Sequence, residues 1–371
     1  MVLPIVIAFF AIILLMVAHE FGHFIIAKKC GINVDEFGIG YPPRIFAKKI
    51  GKTTYSVNWL LLGAFVKIPG EIGGLEEYGS FSNLPIWKRV LIVLGGVISF
   101  WVVAAIVFTI AFNTGVKVPI GDQPTPEANG INVEVVNVSP NSPAQSAGIR
   151  AGDDIIGASY QGVQVKIDTM AGFQDFVSKN QGKEITLTIQ RQNKSSDVSL
   201  TPRTNPPANE GSVGVELERT AEIINKYPWY ETPFRGMAYT GQLTYTSTIS
   251  LFELLKNLIM GKGMPANAEP TGPIGITVFL AKAAELGAGF FLYFIGSISV
   301  LLAIFNLLPI PALDGGKILF LIIEKIKGSV VSPKIEQTIT GAFFIILISL
   351  SLFITIKFDI PKLSDFIRFG G

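Results

Sequence analysis

Residues 2–27 form an apolar run whose strongly polar side chains are His19, Glu20 and His23. As a helix this run reaches about 39 Å at about 1.5 Å per residue, more than the roughly 30 Å of a bilayer's hydrocarbon core. It lacks a basic start, and no small-residue cleavage site precedes the polar residues, so it reads as a retained span rather than a leader. A chain begun this way must bury its backbone polar groups in helices wherever it meets lipid. The remaining composition agrees: 49% of the 371 residues are hydrophobic, 27 of them Phe. We therefore expect an integral membrane protein carrying some soluble mass. A net charge of +2 gives no reason to expect a nucleic-acid partner. The single cysteine, Cys30, excludes both an internal disulfide framework and a cysteine-based zinc site.

His19-Glu20-Phe21-Gly22-His23 is an HExxH pattern, and its two histidines are the only ones in the chain. On a helix, positions i and i+4 share a face, so both imidazoles can ligate one Zn²⁺. Glu20 lies about 100° round the helix and can act as a general base towards water at that ion. An ionisable group within a span costs roughly 2.5–3.5 kcal/mol on insertion scales, which marks these residues as functional.

Charge sets the expected topology. The first span ends in Lys28-Lys29, so its end faces the cytosol and its start lies outside. His23, five residues before Lys28, should sit within the membrane about 7–8 Å from that end. Residues 31–89 carry Lys48, Lys49, Lys52, Lys67, Lys88 and Arg89, as a cytosolic segment would. Within it, 37–43 and 53–66 read as strands broken by Gly and Pro, a hairpin of about 36–68. Beside an intramembrane site it must pack on helices or line a wet cavity. An exposed edge there, at Gly63, Ala64 and Phe65, is a candidate for pairing with an extended peptide. Residues 70–82 read as a flexible loop.

A second span covers 90–112, with Gly95-Gly96 and Ala104-Ala105 suited to close helix packing. Residues 290–308 form a third, running inward to Asn306-Leu307-Leu308-Pro309-Ile310-Pro311-Ala312-Leu313-Asp314-Gly315-Gly316. Such a polar, proline-broken stretch at membrane depth is tolerated only in a protein interior or a cavity. A fourth span at 341–356 returns outward and leaves an external tail from about 358. Between these lie the amphipathic stretch 234–260, expected at the outer interface with a re-entrant segment as the alternative, and a helix opening at Gly272-Pro273-Ile274-Gly275.

Residues 113–232 differ in kind, with Pro, Gly and alternating β-branched residues. Ser142-Pro143-Ala144, Ala147-Gly148-Ile149 and Gly152-Asp153-Asp154-Ile155 in order resemble the PDZ fold over 128–203. The topology places this segment outside the cytosol. It is either a module that takes a peptide segment or a steric plug. Residues 205–230 read as a Pro-rich extended linker.

Two histidines leave a catalytic zinc short of the usual three protein ligands. Asp314 at membrane depth is the strongest candidate for the third, with Glu324 as the alternative. The expected fold is thus a polytopic α-helical membrane protein of four transmembrane helices, with a membrane-associated β-hairpin sheet and an inserted extracytoplasmic PDZ domain. Its expected segments are 1–112, 128–203, 204–288, 289–357 and 358–371. Taken together, HExxH in the first span, the hairpin insert, the PDZ-like segment, Gly-Pro-Ile-Gly-Ile and Asn-x-x-Pro-x-Pro-x-Leu-Asp-Gly resemble the site-2 protease family. In particular they resemble its bacterial members, which are intramembrane zinc metalloproteases.

That resemblance implies one Zn²⁺ per chain on His19, His23 and Asp314, with Glu20 catalytic. It also implies a single-span membrane protein substrate held in extended form, cut in regulated intramembrane proteolysis; anti-sigma factors and signal-peptide remnants are examples. Asn306 and Pro309 would then contact substrate near the scissile bond, the hairpin would clamp it as a strand, and the PDZ segment would exclude bulky substrates. The location implied is the bacterial inner membrane, with both termini extracytoplasmic. Two features depart from the family's pattern: one PDZ-like segment rather than two, and Gly95-Gly96-Val97-Ile98-Ser99-Phe100 where relatives often carry Gly-Pro and an Asn. Two other readings are a catalytically silent membrane scaffold, which need not bind zinc, and an ion-coupled transporter, which should show repeated halves.

Overall fold

The computed structural model describes residues 2–71, 80–114, 116–119, 129–191, 194–207, 210–223, 228–261, 270–285, 287–361 and 363. The chain divides into two units: one holds the stretch up to Ile110 and the stretches after Trp229, the other runs from Ala111 to Pro228.

Helix α1 spans Val2–Lys29 and ends in Lys28 and Lys29, cations suited to a helix C-terminus. Strands β1 (Glu36–Ile50) and β2 (Thr53–Lys67) follow, then α2 (Ile86–Thr114). Both strands bend midway, and the hairpin therefore makes four short strands. Residues 53–58 lie between 44–50 and 36–39, and 60–67 flank 36–39 on the other side. The pairs Glu36–Thr54 and Gly38–Ser56 rise together, whereas Glu36–Lys67 and Gly38–Phe65 run in opposition. Gly40 permits the bend: its φ is +76°, and a Cβ would sit 2.8 Å from the Leu60 carbonyl oxygen. Among the described residues nothing pairs with the outer edge of 60–67. The hairpin's bent end leaves Ile45, Phe46, Ile50, Trp59, Leu60 and Leu62 exposed, while its base packs on α1.

In the second unit come β3 (Val116–Pro119), β4 (Asn129–Val138), α3 (Pro143–Ser146), β5 (Asp154–Tyr160), β6 (Val163–Lys166), α4 (Met170–Lys179), β7 (Ile185–Arg191), β8 (Lys194–Leu200) and β9 (Val215–Ile223). The sheet order is β3-β9-β4-β5-β7-β8, with β6 on β5. Val133, Ile155, Ile185, Leu187 and Phe173 form its core. One expectation fails here: residues 205–230 are not simply a linker. Val215, Leu217 and Arg219 alternate with Glu216 and Glu218, and β9 fills the place between β3 and β4. The Pro-rich flank masked this short alternation in the sequence.

Back in the first unit, α5 covers Thr232–Ile259, α6 Pro273–Glu285, α7 Ala288–Asn306, α8 Asp314–Lys327 and α9 Pro333–Ile354. Four helices are long and apolar enough to cross a membrane, at Leu3–Lys29, Ile86–Thr114, Ala288–Asn306 and Pro333–Asp359. Helix α5 departs from the expected flat interfacial helix. Its Tyr239 hydroxyl bonds the Tyr293 hydroxyl at 3.0 Å, and further along Thr246, Ser250 and Leu254 line a groove with Leu301, Ile304 and Phe305. A flat helix would cross α7 once; α5 instead runs alongside it in the same direction. Its Thr side chains make this possible, since Thr240, Thr244, Thr246 and Thr248 each satisfy their hydroxyl on the carbonyl four residues back.

Helix α6 receives a cap from elsewhere in the chain. The Gly272 N–H donates to the buried Asp359 carboxylate at 3.0 Å, and Thr355 donates to its other oxygen at 3.3 Å. A Cβ on Gly275 would strike that carboxylate, which explains the Gly-Pro-Ile-Gly spelling. Most of the expected loop at 70–82, the turn at 261–270 and the tail beyond 363 lie outside the described residues.

Candidate metal centre and active site

The site begins where α1 and α2 touch. A Cβ on Gly22 would collide with the Gly95 carbonyl, so both glycines are needed for the helices to meet there. One residue on, a Cβ on Gly96 would strike His23 Nε2 and lie 2.6 Å from His19 Cε1. Within the Gly-Gly pair of the second span, Gly95 lets the helices touch and Gly96 makes room for both imidazoles. Phe100, one turn further, stacks on the His19 ring at 4.7 Å with planes 19° apart.

Asp314 arrives from the other direction. After α7 the chain breaks at Leu307–Leu313 and restarts as α8, with Asp314 its first residue. Cβ atoms on Gly315 and Gly316 would strike the Leu308 and Ile310 carbonyls, so these two glycines let α8 fold back tightly against the end of α7. The result brings three distant side chains together. Asp314 Oδ2 lies 3.5 Å from His19 Nε2 and 3.4 Å from His23 Nε2, and the two Nε2 atoms are 3.3 Å apart.

Those separations test the fit to a metal. Tetrahedral zinc with bonds of about 2.0–2.1 Å has ligand atoms roughly 3.3–3.4 Å apart. The three atoms are lone-pair donors when deprotonated, and Asp314 Oδ2 is buried without a hydrogen-bond partner among the described residues. A buried, unsatisfied carboxylate oxygen facing two imidazole nitrogens is costly unless a cation joins them. The His23 Nδ1–H donates to the Ile92 carbonyl at 2.9 Å, which fixes the tautomer and leaves Nε2 for a metal. His19, His23 and Asp314 form the metal-capable cluster found among the described residues. Glu324, the alternative ligand, is excluded by its own contacts: it binds Arg89 with both oxygens.

Glu20 sits beside this cluster, and its Oε2 accepts the Val66 N–H at 3.1 Å. Val66 stands opposite Phe37 in the hairpin and Ala64 opposite Ile39, so both share one parity on strand 60–67. The Val66 N–H therefore points away from 36–39, and the Ala64 polar groups point the same way. Tyr41 donates to the Ala64 carbonyl at 3.4 Å. Its phenol is pushed above the ordinary range by burial and by the nearby Glu20 charge. Gly63 packs on Met16, one turn before His19, and Phe65 stacks on Tyr41. The hairpin residues thus stand beside the HExxH helix. Asn306 ends α7 and donates its amide to the Leu302 carbonyl at 2.9 Å, while Pro309 is exposed in the following break. Neither is brought into contact with the histidines by a described hydrogen bond.

Sequence reasoning missed Gly96, Ile92, Phe100, Val66 and Arg89. A backbone carbonyl or N–H has no sequence signature. Gly95-Gly96 did carry a signal, but it spoke only of helix packing.

An HExxH helix and a distant carboxylate converging within a membrane-spanning bundle define a metal-dependent hydrolase of the membrane. Comparison with known proteins makes this specific. Residues 7–350 match the model for Peptidase family M50, and the chain belongs to that family, the site-2 proteases. A protein of Clostridium perfringens named as a putative zinc metalloprotease is 32% identical over 354 residues, covering 95% of this chain and 97% of its own length. The Regulator of sigma-E protease RseP of Escherichia coli K12 is 28% identical over 439 residues, covering 91% of this chain and 95% of that one. Protease RseP of Yersinia pestis is 26% identical over 436 residues, covering 92% and 95%. The chain is a zinc metalloprotease of the membrane, with zinc as its cofactor.

Proposed function

We propose that this protease is an intramembrane endopeptidase that cuts single-span membrane proteins, with Glu20 as its general base and acid. The convergence of His19 Nε2, His23 Nε2 and Asp314 Oδ2 within 3.3–3.5 Å carries the reading. These three residues would hold the ion; Zn²⁺ bound there supplies Lewis acidity, polarising a carbonyl and acidifying water. Glu20 takes a proton from the attacking water and returns it to the departing amide nitrogen. Its bond from Val66 aims the carboxylate while leaving Oε1 for that work.

A helical peptide bond is shielded by its own hydrogen bonding, so substrate must be presented unwound. The outer edge of 60–67, where Ala64 between Gly63 and Phe65 turns its backbone groups outward, offers pairing to a strand laid beside Glu20. Asn306 and Pro309 would flank that strand from the α7–α8 break, the amide donating and accepting at once. Segment 128–203, extended by β9, is read as a PDZ-type module outside the cytosol that filters or holds substrate segments. Anti-sigma factors and signal-peptide remnants fit as substrates of regulated intramembrane proteolysis in the bacterial inner membrane, with both termini extracytoplasmic.

The test uses the full chain in detergent with a model single-span substrate. Glu20→Gln should keep one zinc per chain and abolish cleavage, and a chelator should abolish it in the parent. Cleavage retained by the glutamine variant would overturn the assignment.

A further inference from the structure

Helix α8 carries Asp314 at its first position, and two more of its residues are anchored elsewhere, one to the first turn of α2 and one to the segment that precedes α2. Arg89 meets Glu324 in a two-pronged pair, with Nη1 to Oε2 at 2.9 Å and Nη2 to Oε1 closer still. Both side chains are nearly sealed from solvent, at 8% and 12% exposure. Lys317 bonds Glu71 at 2.6 Å. Between the two attachments lies the buried Phe81 ring, with Arg89 at 6.0 Å and Lys317 at 5.0 Å from its centre. Lys317 and Glu324 are seven residues apart, two turns on one face of α8. Arg89 and Gly96 are likewise seven apart on α2, so one face of α2 holds the imidazoles at Gly96 and α8 at Arg89.

We infer that the Arg89–Glu324 pair, seconded by Lys317, positions Asp314 for the metal by fixing the rotation and height of α8. This rests on the reading of Asp314 as the third ligand. A carboxylate oxygen lies about 5–6 Å from its helix axis, so a turn of about 10° moves it about 1 Å. Metal–ligand distances tolerate only about 0.2 Å. Among the described residues Asp314 Oδ2 has no hydrogen-bond partner of its own. Its neighbours Gly315 and Gly316 give it no side-chain support, so its placement falls to the helix. Two attachments two turns apart resist both rotation and sliding, which one would not. Arg suits the role because its rigid fork sets direction as well as charge, whereas Lys would supply charge alone. Arg89 and Glu324 touch neither substrate nor ion and act through α8.

The test measures zinc affinity by competition with a chromophoric chelator on the full chain in detergent. The same samples are melted without zinc and with it. Arg89→Met should weaken zinc binding about tenfold to a hundredfold, as the loss of supporting contacts around metal ligands commonly does. Arg89→Lys should weaken it by about threefold or more while the metal-free melting temperature stays near the parent's. A purely structural role would lower the metal-free melting temperature and leave zinc affinity within twofold in both variants; that result overturns the inference. If Arg89→Met fails to fold, Arg89→Lys decides by itself. Asp314→Asn runs alongside. Zinc affinity unchanged in Asp314→Asn defeats the ligand assignment, whereas loss there with parental affinity in the Arg89 variants defeats only the positioning role.

Discussion

The metal centre is built by single residues doing unlike jobs. Two imidazoles one helical turn apart need only the HExxH spacing, but their rings also need space on the facing helix, and Gly96 provides it. Gly96→Ala should therefore cost most of the zinc while leaving the spans in place. Metal content measured on the purified variant, beside its far-UV circular dichroism, checks this; full zinc occupancy would show that the rings can move aside. The Ile92 carbonyl cannot be deleted by a side-chain change, so its hold on His23 Nδ1 is best read spectroscopically, as a histidine tautomer fixed with Nε2 free. A residue in the second unit sets a pH response. Glu218 stands directly opposite Glu134 across β9 and β4, and its carboxyl is pushed up from 4.5 to about 6, first by burial and then by the Glu134 and Glu216 charges. The folded state holds that proton more tightly than the unfolded one. The stabilisation is thus complete below about pH 4.5 and is lost as pH rises through about 6. Hydrogen exchange in β4 and β9, corrected for intrinsic rates, should show less protection at pH 7 than at pH 5. Glu218→Gln should remove that difference, and an unchanged slope would point to another group.

At the level of elements, long pieces are held by few, specific attachments. The hairpin meets α1 through Gly63 on Met16, Val66 on Glu20 and an aromatic cluster of Phe24, Phe37 and Tyr55. Proline at Val66 would delete the N–H that reaches Glu20 without removing the carboxylate. Val66→Pro should lower kcat by about tenfold or more while zinc content stays at one per chain. Steady-state cleavage with metal analysis checks it, and parental kcat would remove Val66 from the base's support. Helix α6 draws on the Asp359 carboxylate at its first turn, where a Cβ on Gly272 or Gly275 would strike that group. Asp359→Ala should destabilise α6 by about 1–2 kcal/mol, the range for losing a helix cap, and more where the Gly272 N–H stays buried. Faster exchange of α6 amides with α7 unchanged would show the effect to be local.

Across the whole molecule, the legible parts were those written in local patterns. The four spans follow from runs of apolar residues, because a single unbroken apolar segment in lipid satisfies its own backbone groups only as a helix. His19, Glu20 and His23 follow from their spacing on one such helix. Even Asp314 could be reached, since a zinc site short of a ligand leaves few candidates in a chain with two histidines and one cysteine. Strand β9 escaped because its alternation is short and sits beside prolines, and the course of α5 along α7 escaped because amphipathicity does not say what a helix leans on. What the sequence determined by itself was therefore the spans, the paired histidines and the chemistry they require, all fixed by spacings of a few residues. What only the tertiary structure decided was that Asp314 rather than Glu324 faces the histidines. The two carboxylates lie ten residues apart on one helix, and the choice between them was made by Arg89, a residue 235 positions from Glu324 that claims it in a buried pair.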